Sequence, residues 1–413
     1  MASLLGVTAI CIASLITFFL AARAPVIAKI LVVAFIIRLV LSLFNVYIGD
    51  LPDSTQDALT FELFAWEWSQ TNFTEVIKRF PDVNHGFIIS WIISILYNLT
   101  DRSLLAAQTL GMIFGIFSIY FGWKLLEEVW SEKIAIKGAW ILAIFPTWVL
   151  YSVITMREVY IYFFSIIGLL GFVRWLKYNK FYDIALVLLG FGVTAQFHGV
   201  MIIGLLVFLF FAFCRSLNSV VFLTKNLSSF ISQLIIFSIS IFLLILFFQS
   251  KFGIQYIGSI DSLSIDLFAD QFRLSASGDS SIPQWLIPEG LFDTFWKTPI
   301  RIFYFLFGPM PWDISKPIHV FGMIDSILYL ILFVFIMKNR KVLIKNQSSK
   351  ALLYILAVYI LVFSLGVANS GTAIRHKAKL LPIIIVLAAP SLPIITLGHQ
   401  KLHRRLKNEK GSD

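Results

Sequence analysis

Long apolar runs recur along this sequence, most of them separated by short connections and twice by a long loop. Eleven of them occupy roughly 3–22, 26–48, 103–122, 138–155, 159–173, 182–196, 199–214, 229–248, 318–337, 351–368 and 378–397. A helix that crosses a bilayer needs about 20 such residues. It must also satisfy its own backbone groups, because no water is available there. The composition points the same way, with 59% hydrophobic and only 14% charged residues. Soluble domains are about 45–50% apolar and about 25% charged. A soluble globule of this make-up would expose a large apolar surface, so that class is excluded, as are disordered, collagen-like and disulfide-rich secreted chains. The expectation is an all-α polytopic membrane protein, a single transmembrane domain over residues 1–413 with about 11 transmembrane helices.

Two further apolar pieces, 87–99 and 300–312, are too short or too broken to span, and are expected to be interfacial or re-entrant. With these left out, the alternate connections 23–29, 123–137, 174–180, 215–225, 338–350 and the tail from 399 hold 20 of the 33 Lys and Arg residues. The opposite side holds 12, and Arg38 lies inside a span. Positive residues favour the cytoplasmic side. That places the amino terminus outside and the tail His399–Asp413 inside, with Lys401, Arg404, Arg405 and Lys407 against anionic lipid. The positive charge therefore has a membrane explanation, and no nucleic-acid partner is expected.

Acids crowd the external side. Asp50, Asp53, Asp57, Glu62, Glu67, Glu75, Asp82 and Asp101 lie in the loop 49–102, so chemistry is expected on the outer face. Within it, Phe61, Phe64, Ala65 and Trp68 recur at helical spacing, the pattern of an amphipathic helix in the interface with Trp66 and Trp68 at headgroup depth. Asp57 falls at its start, where free N–H groups and the helix dipole favour a carboxylate. A plain helix cap and a catalytic acid are both open for it. Cys11 and Cys214 lie in apolar runs and read as neither disulfide nor metal ligands. No zinc spacing, Walker motif or dinucleotide glycine motif occurs. No cofactor is therefore assigned, although a divalent metal remains possible.

Other external features carry chemistry-bearing side chains. Phe80-Pro-Asp-Val-Asn-His85-Gly86 precedes the half-embedded piece. Arg157 and Glu158 open a span at the outer side, where an unpaired charge is costly. Gln196-Phe-His198-Gly199 turns between two short spans. Arg375, His376, Lys377 and Lys379 form the densest external cation cluster, and Arg301 could join it. Each has a bland alternative: snorkelling to headgroups, a helix-start acid, or a structural histidine. Arg38 has no evident partner in sequence, Asp325 being one candidate. The loop 249–316 is long enough to act as a lid or merely to pack.

The order is a span, then an external Asp-x-x-x-Phe-x-x-x-Ala (Asp57, Phe61, Ala65), then a Pro/His/Gly-marked half-embedded helix and a small-residue-rich span. The next span ends Ile144-Phe-Pro146-Thr-Trp-Val-Leu-Tyr151-Ser152, before Arg157-Glu158. This resembles the bacterial integral-membrane glycosyltransferases of the C-type fold, in particular the dolichyl-phosphate-mannose-protein mannosyltransferase-like, or RgtA/B/C/D-like, branch. Phe307-Gly-Pro309-Met-Pro311-Trp312 and Asn369-Ser-Gly-Thr-Ala-Ile-Arg375-His376 also look like features of polysaccharide-biosynthesis members. Ala58 and Phe61 stand where the family pattern has a second acid and a Tyr, and the first span, 3–22, is an addition.

The resemblance implies a multi-pass enzyme of the plasma (inner) membrane. It would move a sugar from a polyprenyl-phosphate donor to a glycan, lipid or protein acceptor on the external or periplasmic face, for cell-surface polysaccharide. Asp57 takes the catalytic aspartate's position, and Glu158 is the second candidate catalytic acid. Leaving phosphate needs cations, so Arg157, Arg301, Arg375, His376 and Lys377 are expected at the substrate, with Asp53, Glu62, His85 and His198 around it. The competing readings are an O-antigen-type polymerase or ligase and a lipid-linked glycan transporter.

Overall fold

In the computed structural model the described residues are 2–83, 85–221, 283–286, 291–314, 317–367 and 369–393, with isolated positions between 231 and 245. Among them the chain is all-helical. Helices α1 (Ala2–Arg23) and α2 (Ala28–Tyr47) form a hairpin against α6 (Leu104–Val129). Between α2 and α6 lie α3 (Asp57–Ser69), α4 (Phe73–Lys78) and α5 (Ile88–Leu99), the helices of the loop expected outside. Then follow α7 (Glu132–Ile144), α8 (Pro146–Tyr151), α9 (Glu158–Tyr178), α10 (Phe181–Phe197) and α11 (Ile203–Val221). The later part holds α12 (Leu291–Phe307), α13 (Pro317–Lys345), α14 (Gln347–Gly366) and α15 (Ser370–Ala388).

Among the described residues six helices are long and apolar enough to cross a membrane: α1, α2, α6, α9, α13 and α14. The eleven expected spans are thus not all recovered. The run 229–248 lies mostly, and the tail 399–413 wholly, outside the described residues. The apolar helices α5, α10 and α11 are shorter; the 12 residues of α5 extend only about 18 Å, as the half-embedded expectation requires. The expected span 138–155 is two helices, because Pro146 supplies no N–H to continue α7. The helix expected as the last span begins earlier, at Ser370, where the Asn369 side chain caps it at 2.8 Å from the Gly371 N–H, and it is not one of the six.

On α3 the buried positions Ala58, Phe61, Glu62, Ala65 and Ser69 form one face, and Leu59 and Leu63 are exposed on the other. The buried face packs on α5 and on Phe87, whose ring meets Phe61 edge-on at 5.5 Å. This holds the helix flat beneath the outer site. The core runs along α6, α9 and α10, where Gly168, Gly171 and Gly190 let backbones touch.

Arg38, fully buried in mid-α2, does not meet Asp325. Its Nε donates to Ser152 Oγ at 2.8 Å, and its Nη1 to the carbonyls of Ala34 (3.1 Å) and Ala143 (3.0 Å). The α7/α8 break leaves the Ala143 carbonyl without a helical donor, and the negative end of α7 helps to offset the charge. Asp325 bonds instead to Thr147, near the buried Lys377.

Candidate functional site

The outer ends of α3, α8, α9 and α15 meet at one cluster. Asp57 is the first helical residue of α3, and its N-cap is Gln56. Its side chain is therefore not the cap; it pairs with Arg375 Nη1. Arg375 Nε lies 3.3 Å from Asp53 Oδ2, which also accepts from the Tyr151 hydroxyl at 3.0 Å. Asp53 has φ 63°, a left-handed conformation that Asp tolerates. That turn aims its carboxylate inward to both partners. One guanidinium thus spans two acids of the first external loop.

Behind it the chain from Tyr151 to Glu158 is buried apart from Arg157. Thr155 Oγ1 donates to the Ala58 carbonyl at 2.6 Å, fastening this strip to α3. Glu158 opens α9, where the dipole favours an anion. It is 1% exposed and lies 3.8 Å from Lys379 Nζ, 2% exposed. Two charges at this depth persist only as a pair. Arg157 Nη1 lies 3.4 Å from the Phe197 carbonyl. Gly86 packs there too: a Cβ on it would come 3.3 Å from that same nitrogen. This puts the His85–Phe87 turn beside Arg157.

His198 and His376 face each other, Nε2 to Nε2 at 3.2 Å. Burial, then the nearby charges of Lys379 and Arg157, push the His198 imidazole well below its ordinary pKa. Two neutral imidazoles can share one hydrogen, whereas two cations would repel. His376 feels the same Lys379 and Arg157, and Arg375 as well. Asp53, Asp57, Arg157, Glu158, His198, Arg375 and His376 thus come together beside the His85 turn.

Three expected site residues go elsewhere. Glu62 accepts from Tyr97 at 2.9 Å and from Arg102 Nε and Nη2 at 2.9 and 2.7 Å. The bond to Glu62 raises the Arg102 pKa, and the pair staples α3 to α5. Arg301 donates to the carbonyls of Ser364, Leu365 and Val367 at the end of α14, and to Leu286. It neutralises a helix C-terminus. Lys377 points away from Arg375 and bonds Ser326 Oγ at 2.8 Å and the Gly308 carbonyl at 3.0 Å. Tyr151 was not foreseen, and Lys379 was seen only as part of a cation cluster. Helical spacing carried that signal: 375 and 379 are four apart and share a face, while 377 does not. Among the described residues no group of three His, Cys, Asp or Glu is arranged to hold a metal ion. Asp53 and Asp57 both face Arg375, so the guanidinium occupies the place between their carboxylates.

The family of dolichyl-phosphate-mannose-protein mannosyltransferases matches residues 84–244. The archaeal oligosaccharyltransferase AglB from Archaeoglobus fulgidus, solved with an inhibitory peptide and a dolichol-phosphate, is similar in structure at a TM-score of 0.50 and 15% identity, over 95% of this chain and 53% of that one. The fold is GT-C-like. The Archaeoglobus fulgidus oligosaccharyltransferase in its apo form is also similar, at a TM-score of 0.47 and 16% identity, over 93% of this chain and 52% of that one. The GT-C-like chain therefore spans about half the length of these solved relatives. No curated protein matches it. The fold agrees with the all-α architecture expected from the sequence.

Proposed function

We propose that this protein is a membrane glycosyltransferase. It takes a sugar from a polyprenyl-phosphate donor on the outer face of the plasma (inner) membrane and passes it to a glycan, lipid or protein acceptor. The observation that carries the reading is the Arg375 guanidinium bridging Asp53 and Asp57 beside Arg157 and the Glu158–Lys379 pair. Displacement at an anomeric carbon needs a carboxylate to receive or orient the acceptor hydroxyl. It also needs cations where charge grows on the leaving phosphate. Here the two kinds of group lie in contact.

In this reading Asp57, more than half exposed in its side chain, takes the acceptor proton. Arg375 turns from Asp57 toward the donor phosphate, and Arg157 faces the same phosphate. Glu158 holds Lys379 in place, and Asp53, fixed by Tyr151, keeps Arg375 aligned. The sugar inverts, because the acceptor attacks opposite the departing phosphate. The phosphate's lipid tail stays in the bilayer, which explains a catalytic cluster at a membrane interface.

The test is release of free carrier phosphate by the purified chain in nanodiscs, given a panel of undecaprenyl-phosphate sugars as donors and a bacterial membrane glycolipid extract as the source of acceptor hydroxyls. Wild type should turn over at least one donor. Asp57→Asn keeps side-chain shape but cannot accept a proton, so it should lose roughly 10²–10⁴-fold. An Asp57→Asn protein with full turnover would overturn the assignment.

A further inference from the structure

Arg38 reaches the cluster through the chain without touching it. Pro146 ends α7, and Arg38 grips both sides of the break: the Ala143 carbonyl below it and the Ser152 hydroxyl above it. Ser152 is the C-cap of α8 and follows Tyr151 directly. Gly115 and Gly111 of α6 leave room for this grip: a Cβ on Gly115 would lie 2.9 Å from Ser152 Cβ and 3.1 Å from Arg38 Nε. Above Ser152 the buried strip begins. Tyr151 bonds Asp53, Thr155 bonds α3, and Glu158 faces Lys379. A charge wholly inside a membrane bundle with no carboxylate among its described partners is costly. A six-residue helix between two chain breaks has few other means of holding its angle.

We propose that Arg38 is a positioning residue for the outer-face cluster. By bridging Ala143 and Ser152 across the Pro146 break, it fixes the setting of Tyr151, and through Tyr151 and Asp53 the orientation of Arg375. Lysine cannot replace it, because one ammonium cannot reach Ser152, Ala143 and Ala34 with the planar fork that Arg provides. The proposal rests on the glycosyltransferase reading only in naming what Arg375 binds.

The experiment is a double-mutant cycle on the full-length protein in nanodiscs with two readouts: the dissociation constant for undecaprenyl phosphate, and the melting temperature. The variants are Ser152→Ala, Tyr151→Phe and the double mutant, with Arg38→Lys and Arg38→Met alongside. Ser118→Ala, a buried hydroxyl bonded only within α6, is the control. Ser152→Ala and Tyr151→Phe should each weaken binding by about 3–10-fold. The double mutant should be no weaker than the worse single, because the two act along one path. Arg38→Lys should resemble Ser152→Ala, and Ser118→Ala should leave binding unchanged. Multiplying single effects, or an equal loss in Ser118→Ala, would overturn the positioning role. If wild type does not bind the probe, the glycosyltransferase reading fails instead. The melting cycle then decides: non-additive melting shifts uphold Arg38's hold on Tyr151, and additive shifts sink it.

Discussion

The two ends of α9 solve opposite problems. Toward its middle, α9 meets α10 through glycine: a Cβ on Gly190 would stand 2.2 Å from the Gly168 nitrogen, and one on Gly171 would stand 2.6 Å from the Asp183 carbonyl. In lipid there is no hydrophobic gain from pressing two apolar helices together, so the seam relies on close dispersion contact and shape. At its outer end α9 gives up that fit for charge. Glu158 is held by Lys379, and Arg157 lies against the Phe197 carbonyl at the end of α10. The seam is specified by the absence of side-chain atoms and tolerates no additions. The outer end is specified by sign and direction, so its volume can be kept while its chemistry is destroyed. Substitutions should separate the two cleanly.

The largest effect is expected from Arg375→Gln. It removes the cation from two carboxylates and from the proposed phosphate, and should cut carrier-phosphate release by about 10²–10³-fold. Melting should shift far less than activity. A wild-type turnover rate in Arg375→Gln would mean that the outer end is as structural as the seam.

Gly190→Leu is the mirror experiment. Forcing a side chain into a backbone contact should cost about 1–3 kcal/mol or more, read as a lower melting temperature and lower membrane abundance. The folded fraction should bind undecaprenyl phosphate normally. Unchanged melting would show that the seam is looser than its geometry.

Arg102→Met tests a site that joins the two behaviours. Glu62 is 3% exposed in its side chain while Arg102 is 41% exposed. The loss should therefore be about 1–2 kcal/mol, reflecting one buried acid left with Tyr97 alone, partly screened by solvent. Differential scanning of α3 exchange protection would show whether it loosens from α5.

The smallest effect is a pH dependence. His198 binds its proton less readily folded than unfolded, so the unfolded chain takes up more protons as pH falls through its ordinary value of 6.5. Stability is therefore fully present above that pH and is lost below it. Melting temperature should drop on acidification from pH 7.5 to 5, and His198→Gln should flatten the drop. A steeper acid loss in His198→Gln would reverse the sign.

Much of this was legible in the sequence because membranes impose simple rules. Apolar runs gave the class, and the outer-face acids and cations gave Asp57, Arg157, Glu158 and Arg375. What was hidden depended on direction. Glu62 looked like a site acid, but its position on α3 turns it toward Tyr97 and Arg102. Lys377 looked like part of a basic patch, but its neighbour two residues away faces the other side of α15. Arg301 looked like a phosphate ligand until the end of α14 supplied its carbonyls. Arg38 could not be paired by searching for acids, since its partners are a serine hydroxyl and two backbone carbonyls, Ala143 at the proline break and Ala34 in its own helix. Tyr151 gave no sign beyond its place in an apolar run.

The Asp57–Arg375 pair joins residues 318 positions apart. At about 5–20 residues per second, synthesis leaves Asp57 at the outer surface for roughly 15–60 s before its partner exists. Until then Asp53 and Asp57 lack the guanidinium that bridges them, whereas Glu62 already has Arg102. Arg375, Lys377 and Lys379 then enter on the last described helix, against the usual preference for keeping cations inside. The waiting carboxylates Asp53, Asp57 and Glu158 give that helix an electrostatic reason to deliver its start to the outer side. The Asp53–Arg375–Asp57 bridge is thus completed late in synthesis, long after the acids it joins have been made.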